Sequence, residues 1–245
     1  MKHSFLKYVG VAICFILMDF FIFPISTTAN SGINTKMLMS VGGLFVLLID
    51  LHQQKEDFFN KSFLILSVWA IAVSLFGLFS VTINNTNDYT YSTYIISMWV
   101  WIFAAYFLMS IVKAIHGTIS LKLIANYVLA IGIAQCLATL GIEYNAAFKS
   151  FIENLNFGLV LLYETKGRLQ GISSALDPAG IRYAAILVIV GYVVANIKDN
   201  YLANVERVIY ILGFILIAIV GNMVARTTTV GVIVAIAYWF YLIHI

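Results

Sequence analysis

Two arginines in apolar surroundings are the residues best suited to chemistry in this chain. Arg226 interrupts a long hydrophobic stretch, Gly221-Asn-Met-Val-Ala-Arg226-Thr-Thr-Thr-Val-Gly231. Arg168 precedes another, in Gly167-Arg168-Leu-Gln-Gly171-Ile-Ser-Ser-Ala-Leu-Asp177-Pro178. A charge at membrane depth is costly and marks a functional site by default. Guanidinium presents a planar fork of donors that matches phosphate oxygens two at a time. Thr227 and Thr228 add hydroxyls beside Arg226, and the helix they open adds backbone N–H groups that favour an anion. Gly171 lets the backbone approach a ligand closely. Asp177 is placed to cap the helix that Pro178 opens, which gives a second helix N-terminus on the same side. Arg182, one turn into that helix, either extends the cationic site or snorkels to the headgroups. The plainer readings are an interfacial arginine at 168 and a tight surface turn at 226. The glycines around the first and the isolation of the second favour phosphate binding.

Other polar groups are fewer. Asp19 is the one acidic residue expected inside a helix interior. It suits a proton or ion site, although a lysine or arginine partner near the same membrane face is the simpler account. Glu143, Glu153 and Glu164 are carboxylates outside the spans, and no spacing singles out one of them as a general base. Asp50 reads as a boundary residue. Cys14 and Cys136 fall inside apolar runs and read as small buried hydrophobes. No metal cluster, phosphate-binding glycine loop or dinucleotide fingerprint is present, so neither a metal nor another cofactor is expected.

These groups must be positioned by membrane helices. The chain has 245 residues, 62% hydrophobic and 10% charged, with a mean hydropathy of +0.97. A soluble domain is nearer ~45–50% apolar and ~25% charged. The net charge of +3 is scattered between apolar runs, so no basic patch supports nucleic-acid binding. A span needs about 20 apolar residues. That rule predicts spans over 5–25, 34–51, 63–83, 94–115, 121–142, 180–197, 207–223 and 227–245, with a break near Asn222 to Arg226. The first run is too long for a signal peptide and has no convincing cleavage site around Ser26 to Ala29. The expected fold is therefore an all-α, polytopic membrane bundle of about eight transmembrane helices, forming one domain over 1–245.

Loop charges orient it. The connections at 52–62, 113–122 and 198–207 each carry two basic residues, whereas 84–93 carries none. The positive-inside rule then puts the N-terminus and the three basic loops in the cytoplasm. Arg168, Arg182 and Arg226 share the outer face. His3, His52, His116 and His244 fall on the opposite side, so no histidine is expected to join the arginines. The longest outer connection, 143–179, contains an amphipathic stretch over 145–162, with Phe148, Phe151, Ile152, Leu155 and Leu159 at helical spacing. It is predicted to lie as a helix in the interface.

The two arginine segments resemble those of a known family. Arg168-Leu-Gln-Gly171 followed by Asp177-Pro178 and a span is similar to the Arg-x-x-Gly…Pro-Asn pattern of the O-antigen ligase/polymerase superfamily. Gly221…Ala225-Arg226-Thr-Thr-Thr-Val-Gly231 resembles that family's Ser-Arg segment. Ala225 stands where the family has Ser, and Ala179-Gly180 where it often has Asn. The resemblance implies a metal-independent glycosyltransferase of the bacterial inner membrane. Its donor would be an undecaprenyl-diphosphate-linked glycan, and its acceptor another glycan or lipid A-core. Arg168 and Arg226 would hold the diphosphate as catalytic residues, with Arg182, Gly171, Asp177, Thr227 and Thr228 around the substrate. Family members have ten or more spans and a large outer loop, often with a functional histidine, so this chain is expected to be an N-terminal fragment. The competing classes are a polysaccharide transporter or flippase and a non-catalytic membrane subunit.

Overall fold

Long apolar runs have one stable form in lipid, because a helix satisfies every backbone N–H and C=O within its own segment. The structure, a computed structural model, describes residues 2–25, 33–53, 59–155, 168–172, 176–197 and 201–244. The regular elements among the described residues are helices: α1 Lys2–Ile22, α2 Thr35–His52, α3 Lys61–Asn84, α4 Tyr94–His116, α5 Leu121–Tyr144, α6 Ala146–Leu155, α7 Leu176–Asn196, α8 Tyr201–Val224 and α9 Thr228–His244. Seven of the helices, α1–α5, α7 and α8, are long and apolar enough to cross a membrane. This is a multi-pass membrane protein. Each of those helices covers one of the expected spans. The stretch expected as an eighth span holds α9, which is apolar but shorter at 17 residues. The expected break falls at Ala225–Thr227, between α8 and α9.

Surface composition agrees with a lipid environment. Trp69 and Phe76 on α3 are 68% and 75% exposed. In water such a face is an aggregation liability, but beside acyl chains it matches its solvent. Local signals set the helix ends. Asn60 caps α3 by accepting from Phe63 N at 3.0 Å, and Ser120 caps α5 by accepting from Leu123 N at 3.1 Å. Asn85 ends α3 in the left-handed conformation, with φ 53°, which Asn tolerates better than most residues.

The chain divides into two compact units. Thr35–Ile115 contains α2, α3 and α4. Several of its polar side chains are locally satisfied. Ser74 Oγ accepts from Ile95 N at 2.9 Å, Ser67 Oγ accepts from Trp99 Nε1 at 3.2 Å, and Tyr106 donates to Asp50 at 2.7 Å. Lys36 is buried in α2 at 4% exposure, its ammonium 2.9 Å from the centre of the Trp101 ring. The ring's negative face offsets part of the cost of burying that charge.

The other unit, 1–34 with 116–245, carries all the arginines named above. Within it α7 packs along α9 and α8, and α5 packs against α8, α7, α6 and α1. Small residues let the backbones close. A side chain at Gly231 would strike the backbone of Ala184, and one at Gly191 would meet Ala235 Cβ at 2.9 Å. Between membrane helices such close van der Waals packing replaces the hydrophobic driving force that lipid cannot supply.

Candidate functional site

The site grows from the junction of α8 and α9. Val224 and Ala225 are buried, and Ala225 N still closes a helical bond to Gly221 O at 2.8 Å. The chain then turns, and Thr228 N and Thr229 N bond back to Ala225 O and Arg226 O at 3.1 and 3.0 Å. Arg226 stands exposed at the tip of this turn. Its position follows from the local sequence: the apolar run on either side must be helical, and the two helices must reverse.

The Arg168 segment lies against the same turn. Leu169 N donates to Met223 O at 3.3 Å, which joins the residue after Arg168 to the last turn of α8. The free carbonyls at a helix C-terminus need such donors. Gly180, in the second turn of α7, also packs here. A Cβ on it would lie 2.7 Å from Ala225 Cβ and would overlap Thr227 Oγ1. The start of α7, the end of α8 and the start of α9 therefore meet at one end of this unit, together with the half-buried 168–172 segment. Among the described residues, neither the Arg168 nor the Arg226 guanidinium has an ion-pair or hydrogen-bond partner.

The other expected site residues fall out as follows. Arg182 is half-buried in α7, its guanidinium carbon 5.6 Å from the centre of the Phe23 ring. Gly171 is half-buried in the tied segment. Asp177 was expected just before α7, but the helix begins at Leu176, so this residue lies in its first turn. Its side chain lies outside the described residues, as does the stretch 156–162 of the expected interfacial helix. The described part of that helix is α6, where Asn145 Oδ1 accepts from Phe148 N at 3.0 Å and Ile152 is buried.

The threonines divide. Thr227 Oγ1 is buried, faces Gly180 and has no partner among the described residues. Thr228 is 0% exposed and donates to Gly221 O at 2.9 Å. The sequence reading placed its hydroxyl on a ligand, but the structure uses it to close the turn. Thr229 likewise donates to Asn222 Oδ1 at 2.8 Å. The α8–α9 turn is thus braced by side chains that any nearby anion cannot use.

Asp19 needs a correction. Its partner is not a lysine or arginine but Gln135 of α5, whose Nε2 donates to Asp19 Oδ1 at 2.9 Å. Tyr183 of α7 is buried beside this pair, facing Cys136, Thr139 and Asp19. Tyr183 also packs on Phe23, with ring centres 5.5 Å apart, and lies against Gly221. One side chain thus spans from the Asp19–Gln135 pair to the arginine turn. Gln135 escaped notice because its apolar neighbours hid it, yet an amide in the middle of the 121–142 run was the available signal. His116 hydrogen-bonds Tyr127 at 2.9 Å, near the other end of α5. Among the described residues no group of three or more His, Cys, Asp or Glu side chains is arranged to hold a metal ion.

Between α7, α8 and α9 lies an apolar cleft of about 260 Å³, lined by Gly191, Val194, Ile211, Phe214, Ala235 and Trp239. It lies further along these helices from the arginine turn. Comparison with protein-family models, curated proteins and solved structures gives no match.

Proposed function

We propose that the arginine end of α7, α8 and α9 holds the diphosphate of an undecaprenyl-linked glycan. The chain would transfer or polymerise that glycan at the outer face of a bacterial inner membrane, with its N-terminus in the cytoplasm. The observation that carries this reading is the bond from Leu169 N to Met223 O. It brings the Arg168 and Arg226 segments to one helix junction, and neither guanidinium is already occupied by a carboxylate among the described residues. Two open guanidiniums at a lipid boundary fit a doubly phosphorylated headgroup. The apolar cleft between the same helices offers room for part of a lipid tail.

In this reading the arginines neutralise the charge that develops on the diphosphate as the glycosidic bond breaks. A hydroxyl of the acceptor, a second glycan or lipid A-core, attacks from the opposite face and inverts the anomeric centre. Thr227, with its unpartnered hydroxyl, is the threonine best placed to assist, whereas Thr228 acts by bracing the turn.

The test is to replace Arg226, and separately Arg168, by Ala and by Lys in the complete protein. Long glycan chains should be lost while membrane insertion is unchanged. Lys should rescue poorly, because it cannot make the two-point contact. Normal chain length with both arginines replaced would remove the diphosphate role. Purified protein given labelled lipid-diphosphate glycan separates transfer from translocation.

A further inference from the structure

The interior pair Asp19–Gln135 is chemically incomplete. Gln135 is 3% exposed, and its Nε2 donates to Asp19 Oδ1. Among the described residues its Oε1 is buried without a donor. A buried carboxamide oxygen left in this state carries a desolvation penalty that no bond offsets. Among the described residues Asp19 has no ion-pair partner, so an ionised carboxylate here would sit inside a membrane helix against a neutral amide. The two deficits have one remedy, a single hydrogen atom shared between the groups.

We propose that Asp19 and Gln135 form a proton-binding site. Asp19 takes a proton from water to become a neutral carboxylic acid. Its O–H then donates to Gln135 Oε1, while its carbonyl oxygen accepts from Gln135 Nε2. The result is a two-point acid–amide pair that joins α1 to α5. Turning the carboxamide over does not remove the need for the proton. It would set Oε1 against a carboxylate oxygen at 2.9 Å, two acceptors in contact unless one of them carries hydrogen. The groups that face this pair are consistent with a neutral acid. The Tyr183 hydroxyl of α7 faces Asp19, and the Cys136 thiol of α5 faces Tyr183 in turn. The Arg182 guanidinium lies over Phe23, one turn beyond Asp19. Cys14, more than a turn back on α1, is a buried free thiol. The inference stands independently of the diphosphate reading.

The site predicts a direction of pH dependence. The folded chain binds the proton, so the stability it confers is present at low pH and is lost as pH rises through the titration of Asp19. The experiment uses the full chain in lipid nanodiscs, labelled with ¹³C at aspartate carboxyls, and reads the infrared band of protonated carboxylic acid. At neutral pH the wild type should show this band, and Asp19→Asn should lack it. Gln135→Leu should shift it to higher wavenumber, as a hydrogen bond is lost. Melting temperature supplies a second readout. The wild type should melt lower at about pH 9 than at about pH 6. Asp19→Asn, which can still pair with the amide, should show no such difference. Absence of any Asp19-dependent acid band at neutral pH overturns the proposal. So does recovery of the alkaline loss on replacing choline chloride by sodium chloride, which would make the site one for a metal cation.

Discussion

Gly180→Ala tests whether the arginine turn is seated on α7. Alanine is normally the better helix residue, by about 1 kcal/mol, so an unobstructed substitution would stabilise. Here the new Cβ would lie 2.7 Å from Ala225 Cβ and 3.1 Å from Thr227 Cβ, and would overlap Thr227 Oγ1. All three atoms belong to the residues that flank Arg226. Ordinary carbon contacts begin near ~3.5 Å, so the turn must move outward by several tenths of an ångström or more. Overpacking of this kind costs about 1–3 kcal/mol. After the propensity gain, the net loss should be about 0–2 kcal/mol. Thr227→Ala removes the atom with the worst overlap. The double variant should therefore lose less than the sum of the singles, with a coupling of about 0.5–2 kcal/mol. The assay is reversible unfolding in mixed micelles for the four members of the cycle, alongside affinity for a lipid diphosphate. Stabilisation by Gly180→Ala, or strictly additive effects of the two substitutions, would falsify the packing on which the site is built.

Two further expectations come from side-chain hydrogen bonds. Thr228→Val removes a buried donor to Gly221 O. That carbonyl keeps its bond from Ala225 N, so the loss should be about 0.5–1.5 kcal/mol, read as a lower unfolding midpoint with diphosphate affinity reduced only through the loosened turn. In the 85–93 loop, the Thr90 hydroxyl and N–H donate to Asp88 at 2.5 and 3.1 Å and hold its carboxyl below the usual carboxylate range. A depressed folded-state value means that the contribution is present at neutral pH and fades in acid as Asp88 protonates. Thr90→Val should raise the Asp88 titration toward the ordinary value, measured by carboxyl ¹³C NMR, and an unchanged titration would show that the hydroxyl contributes nothing.

Hydropathy made the helices readable, because about 20 apolar residues in lipid have few alternatives. Alternation of spans was then enough to expect Arg168 and Arg226 at the same end, and the Leu169–Met223 bond joins their segments there. Which helix touches which was not readable. In lipid an apolar face gains little by choosing one apolar neighbour over another, so the choice falls to small residues and isolated polar groups. Gly231 against Ala184 leaves no periodic signature. The bond between Asp19 and Gln135 joins residues 116 positions apart, and the expectation of a basic partner came from charge reasoning that a neutral amide escapes. The burial of Lys36 was unreadable for the same kind of reason. An aromatic ring on α4 is not visible from α2 in the sequence. Thr227, Thr228 and Thr229 look equivalent as a run, and only the turn geometry assigns them different work.

The seam of small residues between α7 and α9 has a metric consequence. Gly231 lies on Ala184, Gly191 on Ala235, and Gly180 on Thr227, so the two helices are held at backbone distance along several turns. Arg182 belongs to the first, and Arg226 lies in the turn that leads into the second. The spacing of their backbones is therefore a property of the scaffold. Under the proposed function, a polyanion spanning both cations would be gauged against that spacing, and ligands with charges set closer together or further apart would meet a mismatch.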